Sequence, residues 1–226
     1  MDAFDCDYQL RRKESEYPLA RTQYKRLHID AASQSMSTEP VVAESSISYD
    51  GETGVTAFRF KFTEQTEITG YMWLRLWVEA QGNEDMDLFI AIRKLDEEGN
   101  WLPWNVLGEP HPGCWGKMRA SRRALDPKLT TKYQPVQAHR AEEKLKPGEI
   151  VPVDIELCPS SRIWHKGQQI EVQVSGHYIR EGWFEPFTWE TDNKGTHVIH
   201  SGGKYDSYLQ VPAIPPRYKA GDYIYR

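Results

Sequence analysis

Two runs of strict alternation lie close together past the middle of the chain. Val151, Val153, Ile155 and Leu157 alternate with Pro152, Asp154 and Glu156, after a Pro147-Gly148 turn. Ile170, Val172 and Val174 then alternate with Glu171, Gln173 and Ser175. Successive side chains of a strand project to opposite faces, so each run predicts a strand with one buried face. The connecting CPSSRIWHKGQQ is too long for a two-residue hairpin, which lets the two strands belong to different sheets.

The same period recurs on both sides. Leu27 and Ile29 oppose Tyr24, Arg26 and His28 in a first strand over 21–29, and Phe58, Phe60 and Phe62 share a face over 55–62. Over 68–80, Met72, Leu74, Leu76, Val78 and Ala80 face one way, and Tyr71, Trp73, Arg75, Trp77 and Glu79 the other. Three aromatics on that second face imply that something covers part of it. Met86, Leu88, Ile90 and Ile92 form a further apolar face, and residues 196–200 and 208–211 predict two last strands around a Gly202-Gly203 turn. Residues 31–40, 101–147 and 177–194 read as loops, with one helical turn expected over 141–145. A stretch as long as 101–147 without structure is functional or packed on a neighbour. Short strands, Pro- and Gly-rich loops and almost no helical period predict an all-β sandwich.

Composition narrows the classes of function. The chain has 226 residues, room for one sizeable sandwich. Its net charge is -5 and it carries no long basic run, which argues against nucleic acid as a partner. The basic cluster Lys117, Arg119, Arg122 and Arg123 is local and reads as an ion-paired or solvated loop. Cys6, Cys114 and Cys158 are scattered and odd in number, so a reducing, cytoplasmic setting is expected. The acidic start of the chain is unlike a secretory signal, and no apolar run reaches the ~18 residues that a membrane span needs.

Candidate chemistry is sparse. No GxSxG elbow occurs, and Ser175-Gly176 and Ser201-Gly202-Gly203 have the wrong flanks. Ser121, with His139 downstream, makes a weak candidate dyad. His197 and His200 are three apart, so on a strand they face opposite sides and one metal cannot easily take both. They read instead as sheet-edge histidines bonded to backbone. Asp85 and Asp87 share a face at a spacing that calcium tolerates, a weak signal. His111 and Cys114 lack further ligands. No metal and no cofactor is expected.

RASRRALDP, and KLKPGEIVPVDIELCPSSRIWHKGQQIEVQVSG after it, resemble the C-terminal non-catalytic domain of the cocaine-esterase and X-Pro dipeptidyl-peptidase hydrolases. EYPLARTQYKRLHID and TEITGYMWLRLWVEAQGNEDMDLFIAIRKLD are similar to that domain's opening, and GTHVIHSGGKYDSYLQVPAIP to its close. The resemblance implies a jelly-roll, galactose-binding-domain-like sandwich over 21–216, after a linker over 1–20 and before a tail over 217–226. It implies that the Ser/Asp/His triad belongs to a separate α/β-hydrolase domain, so no catalytic residue carries over to this chain. The expected partner is that domain, in cis or in trans, with self-association open when it is absent. The implied parent activity is hydrolysis of an ester or of an amide after proline. A truncated product and a free-standing copy of the domain are both compatible with the start at Met1.

The surplus aromatics are the candidate functional residues. Trp73 and Trp77 project from the outer face of one strand, Trp101, Trp104 and Trp115 lie on one long loop, and Trp183 and Trp189 on another. They would dock on the hydrolase domain and line a wall of its substrate cleft, stack sugars as in a free-standing binding module, or cap the open ends of the sandwich.

Overall fold

The computed structural model describes residues 14–106, 109–179 and 191–215. Its strands, in chain order, are β1 (Gln23–Asp30), β2 (Ser35–Ser37), β3 (Ser45–Asp50), β4 (Val55–Lys61), β5 (Thr66–Gln81), β6 (Asp87–Leu95), β7 (Trp104–Val106), β8 (Glu109–His111), β9 (Cys114–Arg119), β10 (Val151–Trp164), β11 (Gln169–Ser175), β12 (Thr196–Ser201) and β13 (Tyr208–Ile214). The hydrogen-bonded order is β3-β12-β5-β13-β1-β2-β4-β11-β6-β9, with β10 on the other side of β5.

This path folds over into two layers. The long β5 organises the first. β10 runs along one of its sides, while β13 and β12 share the other, end to end. The second layer is β4, β11, β6 and β9. Short β2 joins the layers, antiparallel to β1 and bridged in parallel to β4. The inner faces bury Met72, Leu74, Leu76 and Val78 of β5 against Ile90, Ile92, Ile170 and Val172 in one core. Alternation in β5 matches the expected faces residue for residue from Tyr71 to Ala80, and Ile155 and Val172 are both fully buried.

Within β5, Gly70 has a φ of +137°. The ladders on both sides slip there, between Leu157 and Ser160 of β10 and between Gln210 and Ala213 of β13. Pro159 and Pro212, which have no N–H to donate, sit in those two irregularities. A Cβ on Gly70 would come within 3.3 Å of the Pro212 ring. At the far edge β9 closes over β10. A Cβ on Gly116 would stand 2.5 Å from the Glu156 carbonyl oxygen, so glycine is what lets the two backbones meet. There the Cys114 thiol donates to the Cys158 carbonyl, and both cysteines are free.

Several elements differ from the sequence reading. Residues 101–147 are mostly loop, as expected, but they also hold the β7–β8 hairpin, β9 and a 3-10 turn at Ala120–Arg122. Strand β9 alternates buried Cys114, Gly116 and Met118 with Trp115, Lys117 and Arg119, but a glycine and two basic residues mask the hydrophobic period. β2 and β3 lie where small and polar residues dominate. No helical turn forms over 141–145, because the Glu143 N–H donates to the Ser121 carbonyl and the Leu145 N–H to that of Glu84. The expected tail lies outside the described residues, as does most of the expected linker.

Candidate docking surface

The outer face of β5 carries a connected row of polar and aromatic groups. Asp154, opposite Arg75 in register, accepts from Arg75 Nε at 2.7 Å, from Arg75 Nη2 at 2.8 Å and from the Trp73 indole at 2.7 Å. That bidentate bond, working against burial, raises the Arg75 pKa. The Arg26 and Arg75 guanidinium groups lie 4.2 and 5.8 Å from the centre of the Tyr208 ring. Further along, the Trp77 indole donates to Asp206 at 3.0 Å, Tyr205 packs edge-on against it, and His200 Nε2 lies 3.0 Å from Glu79. Trp73 and Trp77 are thus half-buried and already bonded within the chain.

A compact loop over residues 124–140 covers part of this face, as the aromatics there imply. Its ends meet where the Ala138 N–H donates to the Ala124 carbonyl at 2.8 Å. Tyr133 stacks between Tyr24 and Tyr71, with ring centres 5.7 and 5.9 Å away. Gln137 donates to the Asp154 carbonyl, Gln134 to the Glu156 carboxylate, and Gln210 to the Lys132 carbonyl. Burial and the neighbouring tyrosines push the Tyr24 pKa up to about 12.

The remaining described tryptophans lie away from this face. Trp115 projects from the outer face of the second layer, and pocket-lining Phe89, Pro112 and Tyr178 surround it there. Trp101 lies under the Arg93 guanidinium, 4.3 Å from its ring centre. Trp104, at the start of the hairpin, is 41% exposed. Buried Arg162 fastens this region by donating to the carbonyls of Leu102 and Pro112, each at 3.0 Å. Trp73 and Trp77 therefore lie on one face of the sandwich and Trp115 on the opposite one, while Trp183 and Trp189 lie outside the described residues. Trp164, not among the candidates, is core.

No acyl-transfer site assembles among the described residues. Ser121 is fully buried and His139 is exposed. Asp85 accepts from the backbone N–H groups of Met86 and Ser121 and from Lys144. Burial would raise its pKa, but these donors outweigh that and hold the carboxyl below its ordinary value. Asp87 accepts from Nε and Nη2 of Arg119, each at 2.7 Å. His197 and His200 do face opposite ways, but onto side chains rather than backbone, and β3 lies outside β12. His197 is buried against Tyr49, whereas His200 meets Glu79. Among the described residues no three His, Cys, Asp or Glu side chains gather as a metal site would need, and no helix is long and apolar enough to cross a membrane.

The basic cluster is ion-paired, as its sequence suggests: Arg119 with Asp87, Arg122 with Glu142, and Arg123 with Glu143. Beside it Lys117, Arg119, Arg122, Gln137 and His139 border a groove of about 310 Å³. The 124–140 loop forms one wall of that groove and presents exposed Lys128, Leu129 and Lys132 at its tip. The sequence reading places these residues in a loop but does not assign them the cover over β5 or the exposed tip. Its one early signal is Asp126-Pro127, a turn-forming pair ahead of an isolated leucine.

A CocE/NonD family hydrolase from Staphylococcus aureus superposes with a TM-score of 0.86 at 36% identity, over 90% of this chain and 38% of that protein. Two more distant structures share the fold. One is an aminopeptidase from a marine sediment Thaumarchaeota archaeon (TM-score 0.65, 14% identity, 90% of this chain and 39% of that one). The other is an α-amino acid ester hydrolase (TM-score 0.59, 15% identity, 84% of this chain and 36% of that one). The chain thus spans about two fifths of the length of the structures it matches. No curated protein matches it. The model of the X-Pro dipeptidyl-peptidase C-terminal non-catalytic domain matches residues 2–210, and the chain belongs to that family.

Proposed function

We propose that this chain serves as the non-catalytic partner of an α/β-hydrolase domain, packing against it and shaping the approach of substrate to a catalytic centre on that domain. One observation carries this reading: 90% of the chain corresponds to only 38% of the S. aureus hydrolase, through a family whose description is non-catalytic. The reaction that such a pair performs is hydrolysis of an ester or of a peptide bond after proline. The tryptophans are the candidate contact residues, with Trp104 presenting its ring most openly among those described. Trp73 and Trp77 contribute through the rigid face that they help build.

The test is a fusion in which this chain replaces the corresponding domain of the S. aureus hydrolase. It should melt in one transition and turn over p-nitrophenyl esters better than the hydrolase part alone. Two independent transitions, with turnover no different from that of the hydrolase part, would overturn the proposal.

A further inference from the structure

Charge is distributed unevenly along this chain. Residues 117–146 hold nine lysines and arginines against three acids, a net charge of +6 that leaves -11 on the rest of a chain of net -5. This segment forms β9, the 3-10 turn and the 124–140 loop, so its charge gathers at the edge where β9 meets β10. Nearby acids offset part of it, notably Asp85 and Asp87.

The loop tip adds a second, independent feature. The Asp126 carboxylate accepts from the N–H groups of Lys128 and Leu129 at 2.8 and 3.2 Å, and Arg140 pairs with it at 3.1 Å. The Thr130 N–H donates to the Asp126 carbonyl at 2.9 Å. The backbone is thereby fixed with Leu129 held out in solvent, 62% exposed, near two exposed lysines. An apolar side chain ringed by polar groups matches the apolar core and polar rim of a protein interface. A rigid loop that presents such an anchor loses little conformational entropy when it docks.

We infer that the 124–140 loop, with the groove beside β9, is the seat for an acidic surface of the hydrolase domain. This rests on reading the chain as a hydrolase's non-catalytic partner. The larger part of the S. aureus relative lies outside the matched region, and the sign of the charge selects an acidic face on it. The aromatic face of β5 is partly covered by the chain's own Tyr133 and Gln137, so on that side the outer surface of the loop is what a partner meets.

Lysine acetylation, read by mass spectrometry on the isolated chain and on the fusion described above, tests this. Lys128 and Lys132 should react about tenfold more slowly in the fusion, with exposed Lys25 unchanged as a control. Lys128→Glu with Lys132→Glu should leave the melting temperature of the isolated chain unchanged and lower that of the fusion by about 2–4 °C. Equal labelling in both forms, in a fusion that melts as one unit, overturns this inference and leaves the docked partnership standing. Separate melting of the two parts overturns the partnership, and this inference with it.

Discussion

The two sides of β5 are built from one alternating stretch, yet they are held by different physics. Inward, Met72, Leu74, Leu76 and Val78 are excluded from water and gain from any apolar neighbour of suitable volume. Outward, Trp73, Arg75 and Trp77 remain half-buried through directed bonds to Asp154 and Asp206. The inner face tolerates changes of shape but no charge. The outer face tolerates water but not the loss of a partner. Aromatics on an outer face are therefore not by themselves an exposed docking patch, because a chain can satisfy them with its own loop.

The largest contrast between the faces is expected within β10. Ile155→Asp places an unpaired charge in the core and should cost several kcal/mol, enough to lower the denaturant midpoint sharply or to prevent folding. Glu156→Ala, one residue away on the other face, should cost under about 1 kcal/mol. Equal losses would mean that the alternation does not define the faces.

Next in size is a pH effect at His197. Burial lowers its pKa to about 4, partly opposed by Asp87 and Asp50. The unfolded chain takes up this proton near pH 6.5 and the folded chain only near 4. The stability is therefore complete above about pH 6.5 and falls as pH drops towards 4, by up to about 3 kcal/mol. Denaturant melts of the parent chain and of His197→Gln between pH 7 and 4 check this: the parent should lose more stability than the variant. Parallel losses would show that the histidine does not control the slope.

Asp154→Ala sharpens the comparison from the outer side. It removes the acceptor shared by Trp73 and Arg75, leaving a partly buried guanidinium without its bidentate partner. The cost should be about 2 kcal/mol, smaller than for a fully buried pair because Arg75 keeps some contact with solvent. Asp154→Asn should recover part of that loss, since its amide oxygen still accepts from Trp73.

The inner face was legible because its signal is periodic. Val151 to Leu157 and Ile170 to Val174 repeat every second residue, and burial follows that repeat. β9 was not, since Gly116 is buried for its lack of a side chain and Lys117 and Arg119 read as loop. The cover over the β5 face was implied by its aromatics, but Tyr133 is 62 residues from Tyr71 and no local pattern pairs them. Asp154 as the acceptor that joins Trp73 and Arg75 was likewise hidden, because cross-strand register does not appear in the spacing of either strand alone.

Whether this chain acts with a partner rather than on a substrate is decided most directly by assaying it alone. The purified chain, incubated with p-nitrophenyl butyrate and with Ala-Pro-p-nitroanilide across a range of concentrations, should show no saturable hydrolysis. Saturable turnover abolished by Ser121→Ala, in a variant that still melts like the parent, would contradict the reading and make the buried serine a nucleophile.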